Sequence, residues 1–209
     1  IKGYKLRVVY RYLEMYPELK ERYNYFFFPD DDIQMDAAVI NTLFEAMRRY
    51  RLQIAQPALR MSYYTWSHTL QDRYCKLRYI NFVEMMVPCF SREALNKVLF
   101  TFNENETGWG TETHWAELIN ASQRDMAVID EVSVVHTRPI QSGQAIHNRE
   151  LAAYLRKYNL STKVLHYDCL PSESVYCCDR NTFRELCKTL GHWIGEERIS
   201  AFSAGEDGY

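Results

Sequence analysis

Three aspartates in succession, Asp30, Asp31 and Asp32, close the apolar run Tyr25-Phe26-Phe27-Phe28. Adjacent carboxylates repel one another and raise each other's pKa, so such a cluster is costly unless something neutralises it. A divalent cation does so, and carboxylate oxygens are the ligands that Mg²⁺ and Mn²⁺ prefer. Side chains alternate along an extended chain, so Asp30 and Asp32 share one face while Asp31 points away. The competing expectation is a solvated acidic turn that caps a helix starting near Asp36.

Two further segments carry chemistry. Gly108-Trp109-Gly110-Thr111-Glu112 joins two turn residues, an aromatic plate and a carboxylate. Read plainly, the glycines make a turn, and Glu112 opens the next helix, where an acid suits the helix dipole. Val134-Val135-His136-Thr137-Arg138-Pro139 places an imidazole and a guanidinium at the end of an apolar strand. A neutral imidazole is a competent ligand for Mn²⁺, with its second nitrogen fixed by another hydrogen bond. Arg138 is suited to bidentate contact with a phosphate.

Phe26-Phe27-Phe28-Pro29-Asp30-Asp31-Asp32 resembles the apolar strand and DxD element of GT-A glycosyltransferases. Gly108–Glu112 resembles the GWGxE segment of galactosyl- and N-acetylgalactosaminyltransferases of that fold. His136 matches the place from which many GT-A enzymes supply a metal ligand. The FPDDD and TGWGTE blocks are also similar to those of an uncharacterised glycosyltransferase-like family. This resemblance covers roughly residues 1–140.

It implies Mn²⁺ or Mg²⁺ held by Asp30, Asp32 and His136, offsetting charge on a departing nucleoside diphosphate. Asp30, Asp31, Trp109, Gly110, Thr111 and Arg138 then contact donor or acceptor, and Glu112 is the candidate general base. In near relatives a second acid often follows; here Thr113 stands in its place, and His114 is a possible substitute base. The implied partners are a nucleotide-sugar donor and a glycan or other hydroxyl-bearing acceptor. Two alternatives stay open: a catalytically inactive GT-A-like binding or scaffold protein, and a metal-dependent phosphoryl-transfer enzyme or hydrolase.

The elements that position these residues follow from periodicity. Leu6, Val9, Tyr10 and Leu13 predict a helix over 6–22, with Pro17 as a break or kink. The run 25–28 reads as a strand buried on both faces, as in a parallel sheet. Val39, Ile40, Leu43, Phe44 and Met47 predict a helix over about 36–50, and Leu52–Gln56 a strand stopped by Pro57. Together these make a βαβ unit. Residues 58–78 read as irregular, with Trp66 and the Tyr63-Tyr64 pair where an acceptor loop could fall. Asn81–Val87 reads as a strand, and Ser91 as the cap of the next helix. Thr101–Thr113 reads as loop, with a helix from about His114 to Ala121.

Met126–Ile129 and Val132–Val135 are two more short strand candidates. Asn148 is a candidate cap for a helix to Tyr158, and Asn181 or Thr182 for another ending before Gly191. The expected fold is one α/β domain with a mixed, mainly parallel sheet flanked by helices, residues 148–209 forming its helical C-terminal part. GT-A domains open with a nucleoside-binding strand well ahead of DxD, yet the 29 residues before Asp30 read mainly as one helix. The expectation is a domain lacking that portion, by truncation ahead of Ile1 or by loss of the pocket.

Bulk properties narrow the class. With 25 basic and 27 acidic residues the charge is −2, which gives no broad nucleic-acid footprint. No stretch approaches the roughly 20 apolar residues of a membrane span, and residues 1–5 lack the features of a signal peptide. The aromatic share is 14%, enough both for a large core and for plates that stack on sugars. Cys75, Cys89, Cys169, Cys177, Cys178 and Cys187 contain no CxxC pair, so they read as reduced thiols in a cytoplasmic or membrane-peripheral protein. A metal site built from the last four with His166 and His192 is the lesser alternative.

Overall fold

The computed structural model describes residues 2–139 and 144–172. The chain forms a compact unit over Ile1–Leu170; Pro171–Tyr209 is a second unit. The helix expected after Asn181 or Thr182, the cysteines at 177, 178 and 187, and His192 lie outside the described residues.

Helix α1 spans Lys5–Met15 and α2 spans Glu18–Arg22, with Pro17 in the N-cap position of α2. The expected single helix is thus two, because proline lacks the amide that would continue the first. Strand β1 (Tyr25–Phe27) is followed by β2 (Ile33–Gln34) and α3 (Ala37–Arg49). Asp36 caps α3, its Oδ1 accepting from the Val39 amide at 2.9 Å. Then come β3 (Ile54–Leu59), β4 (Cys75–Ile80), β5 (Cys89–Ser91) and α4 (Arg92–Val98), capped by Ser91 as expected. Helix α5 (Trp115–Leu118), β6 (Met126–His136), α6 (Gln144–Tyr158) and β7 (His166–Pro171) complete the order.

The seven-stranded sheet runs β1-β5-β3-β6-β4-β7, with β2 paired to β6. It is mixed, but not mainly parallel: β3 runs parallel to β6, whereas β1–β5, β3–β5, β4–β6 and β2–β6 are antiparallel. Since β1 and β3 both oppose β5, they run in the same direction, and α3 crosses between them with β5 inserted. The aromatic strand before the aspartates therefore lies at the sheet edge, and only Phe26 of its three residues is buried.

Alternation along the strands feeds two cores. Ile54, Phe90 and Met126 face α1, α4 and Trp115, while their neighbours Ala55, Cys89 and Ala127 face Leu43, Ala46 and Met47 of α3. This helix–sheet–helix layering is the expected α/β class.

Other departures have local causes. Strand β3 continues through Pro57, because pairing to β5 has ended at Ala55 and the β6 register shifts just after Pro57. The two short strands expected at 126–129 and 132–135 are one strand, joined across that shift. Buried Asp130 holds the junction, accepting from Arg78 Nε at 2.8 Å, Arg78 Nη2 at 2.9 Å and the Asp72 amide at 2.8 Å. The strand expected at 81–87 is a loop, and its apolar residues Phe82, Val83, Met86 and Val87 are buried without joining a ladder. Helix α6 begins ahead of Asn148, which is not its cap.

The expectation of reduced thiols fails for one pair. Cys75 on β4 and Cys169 on β7 form a disulfide, with Cα atoms 5.9 Å apart. Cys89 is free and buried. Among the described residues no helix is long and apolar enough to cross a membrane.

Candidate active site

The chain leaving β1 is strapped in place by backbone hydrogen bonds. The Phe28 amide donates to Pro88 O at 3.0 Å and the Asp30 amide to Met86 O at 2.9 Å. Three residues on, β2 pairs with the last two residues of β6, Ile33 opposite His136 and Gln34 opposite Val135. Thr137 closes the corner, its amide and hydroxyl both donating to Asp32 O, at 3.1 and 2.9 Å. The aspartates are thus clamped between the 86–88 loop and the end of the long strand β6.

Each carboxylate meets a cation of the chain. Lys5 Nζ lies 2.6 Å from Asp30 Oδ1 and also donates to the carbonyls of Met85, at 2.5 Å, and Met86, at 2.8 Å. Its three donors are therefore committed. Burial lowers the Lys5 pKa, while Asp30 works against that. Arg138 Nη2 reaches exposed Asp31 at 2.7 Å, and Arg138 Nε reaches Asp32 Oδ2 at 3.1 Å.

Buried His136 makes the most informative contact. Its Nδ1 lies 2.9 Å from Tyr63 O, a group that only accepts, so Nδ1 carries hydrogen. Nε2 lies 3.1 Å from Asp32 Oδ2. In the neutral ring Nε2 is a lone pair facing a carboxylate oxygen. Arg138 Nε reaches the same carboxylate oxygen, so Asp32, His136 and Arg138 converge on one point of the site.

The glycine loop is built for close approach. Gly108 (φ 88°) and Gly110 (φ 93°) both lie in the left-handed region, where side chains are disfavoured. A Cβ on Gly108 would stand 2.9 Å from Leu6 Cδ1, and one on Gly110 3.1 and 3.2 Å from Leu151 Cδ1 and Cα. The loop is tied to α6 by Glu150, which accepts from the Thr107 amide at 2.9 Å and hydroxyl at 2.5 Å. Trp109 stacks flat on His147, with ring centroids 4.7 Å apart and planes 5° apart. The Gly110 amide donates to Glu112 Oε2 at 3.0 Å.

These segments meet at one cleft of about 390 Å³, lined by all three aspartates, His136 and Arg138. Trp109, Glu112 and His147 line it too, as do Trp66 and Thr65. Glu112 is 2% exposed, and desolvation pushes its pKa up to about 7 in spite of the Gly110 amide.

Three site residues expected from the sequence fall elsewhere. His114 is buried against α6, Nδ1 3.1 Å from the Tyr154 hydroxyl, and is not among the lining residues; desolvation lowers its pKa. Thr111 is buried with its hydroxyl donating to Gly108 O at 2.7 Å, and Gly110 shapes the loop from behind. Neither lines the cleft.

One lining carboxylate lies outside the three predicted segments. Glu84 was placed within an expected strand, yet it lines the cleft at 4% exposure. Its pKa is driven to about 8, by desolvation first, then by Glu112 and Asp30. The signal was there: one acid inside the apolar run Val83–Val87 is costly to bury without purpose.

Comparison with protein-family models, with curated proteins and with solved structures finds no match to this chain.

Proposed function

We propose that this chain is a metal-dependent glycosyltransferase domain that moves a sugar from a nucleotide-sugar donor to an acceptor hydroxyl. One observation carries the reading. Three segments far apart in sequence, each resembling a GT-A element, contribute Asp32, Glu112 and His136 to the same cleft.

The residues fit a divalent cation. Two neighbouring ligands at about 2.1–2.2 Å from one ion stand about 3.0 Å apart. Asp32 Oδ2 and His136 Nε2 are 3.1 Å apart, with the tautomer already set by Tyr63. Among the described residues no group of three or more His, Cys, Asp or Glu is arranged for a metal. Asp32 and His136 would thus supply two ligands and leave the rest to phosphate and water, the usual mode for Mg²⁺. Asp30, bound to Lys5, has the supporting role of neutralising that amine at the cleft wall. When bound, the ion supplies Lewis-acid stabilisation of charge on the nucleoside diphosphate.

The chain's own groups do the remainder. Arg138 is placed to turn from Asp31 and Asp32 to a phosphate. Glu112 takes the proton of the acceptor hydroxyl, a role that suits a carboxylate whose pKa lies near neutrality. Trp109, rigidified on His147, offers a flat apolar face to a sugar ring. The Cys75–Cys169 bond favours an oxidising compartment over the cytoplasm.

A second reading has its own support: all three aspartates already hold cationic partners, as expected of a binding protein of this ancestry that has lost catalysis. Incubation with Mn²⁺ and a panel of nucleotide sugars and acceptors, followed by nucleoside diphosphate release, separates the two. Metal-dependent release is expected, abolished in Asp32→Ala and slowed about 10²–10⁴-fold in Glu112→Gln. Silence with every donor favours the binding protein, and release of inorganic phosphate alone favours a hydrolase.

A further inference from the structure

Glu84 is a buried cleft carboxylate that the proposed reaction leaves without a task. Its backbone is fixed, with the amide donating to the buried Gln56 side chain of β3 at 2.6 Å. Thr65 lines the cleft with it. The carboxyl oxygen Oε2 is buried and has no hydrogen-bond partner. A buried polar atom left unmatched costs about 1–3 kcal/mol, and more when it is charged. On a residue that lines a cleft, such an atom calls for a partner from outside the chain.

We propose that Glu84 anchors the acceptor, its Oε2 hydrogen-bonding a hydroxyl adjacent to the one presented to Glu112, and that the acceptor is a neutral polyhydroxylated molecule, a sugar. This rests on the glycosyltransferase reading in calling the bound molecule an acceptor and in presenting its neighbouring hydroxyl to Glu112. The class follows from the surroundings. The nearby amine of Lys5 has already committed its donors to Asp30, Met85 and Met86. Burial and the neighbouring acids keep Glu84 protonated at neutral pH. A neutral carboxyl both donates and accepts, as a sugar hydroxyl does. Trp66 and Trp109 supply apolar faces on the same cleft.

The test is direct binding, with neither metal nor nucleotide present, so that a failure of donor chemistry leaves it untouched. Methyl glycosides of neutral hexoses and pentoses, with their singly deoxygenated analogues, are titrated while tryptophan fluorescence and saturation-transfer NMR are followed. At least one glycoside is expected to bind. Glu84→Met, an apolar replacement of similar length, weakens it tenfold or more, and Glu84→Gln weakens it less. One deoxy analogue binds at least tenfold more weakly to the wild type but no more weakly to Glu84→Met, which identifies the hydroxyl held by Oε2. Both variants melt no lower than the wild type at pH 8, because the group they replace is unmatched. Absence of binding by every glycoside, or equal binding by wild type and Glu84→Met, overturns the proposal. Glycoside binding without sugar transfer refutes the enzyme while sustaining the anchor.

Discussion

Two buried acids dominate the electrostatics at the scale of single residues. Glu84 and Glu112 have pKa values driven up to about 8 and about 7 in the folded chain, from the ordinary value of 4.5, with desolvation the main cause in each. An acid whose folded pKa exceeds its unfolded value holds its proton more tightly in the folded state. Its contribution to stability is therefore complete below pH 4.5 and is lost as pH rises through 7 and 8. Asp130 adds a smaller effect of the same sign, with a pKa near 6 despite its pairing with Arg78. Thermal melts should thus peak near pH 5 and fall towards pH 9. Glu84→Gln should flatten most of that fall, at about 2–4 °C in Tm per kcal/mol recovered for a chain of this size. A variant with the wild-type slope would show that Glu84 is ionised and solvated in the native state.

The glycine loop and its anchor on α6 matter most at the scale of elements. Gly110 combines a left-handed backbone with near-contact against Leu151, so Gly110→Ala adds strain and overlap at once. A loss of about 1–3 kcal/mol is expected in denaturant titrations. Turnover should fall further than stability, because the Gly110 amide orients Glu112. Gly110→Ala with unchanged stability and turnover would mean that the loop repacks freely.

Much of this level was legible in the sequence: the cap at Ser91, the break at Pro17 and the stripe of α3 follow from local rules. Partner-dependent features were not. Local pattern placed the 25–28 run inside a parallel sheet, whereas β5, more than sixty residues on, pairs with it at the edge. The fusion of β6 depends on Arg78 reaching Asp130 from β4, and β4 itself lay in a segment without visible period.

The site, at the scale of the whole molecule, was legible as separate motifs and not as a constellation. Asp30–Asp32, Trp109, Glu112, His136 and Arg138 announce themselves by residue type and order, and the fold brings all of them to one cleft. Glu84 was hidden because its place on the cleft arises from burial, which a single glutamate does not advertise. Thr111 and His114 were overread for the converse reason: adjacency to Glu112 in the chain does not place them on the same side of a tight turn. The disulfide between β4 and β7 was equally invisible, since spacing alone does not pair cysteines 94 residues apart.

The proposed function depends on a metal ion held by Asp32 Oδ2 and His136 Nε2, which stand 3.1 Å apart. Electron paramagnetic resonance of Mn²⁺ titrated with the protein and a nucleoside diphosphate tests it most directly. The free-ion signal should collapse in the wild type and persist with His136→Phe or Asp32→Ala at the same nucleotide concentration. Equal signals for the wild type and both variants would mean that Asp32 and His136 hold no metal and would contradict the account.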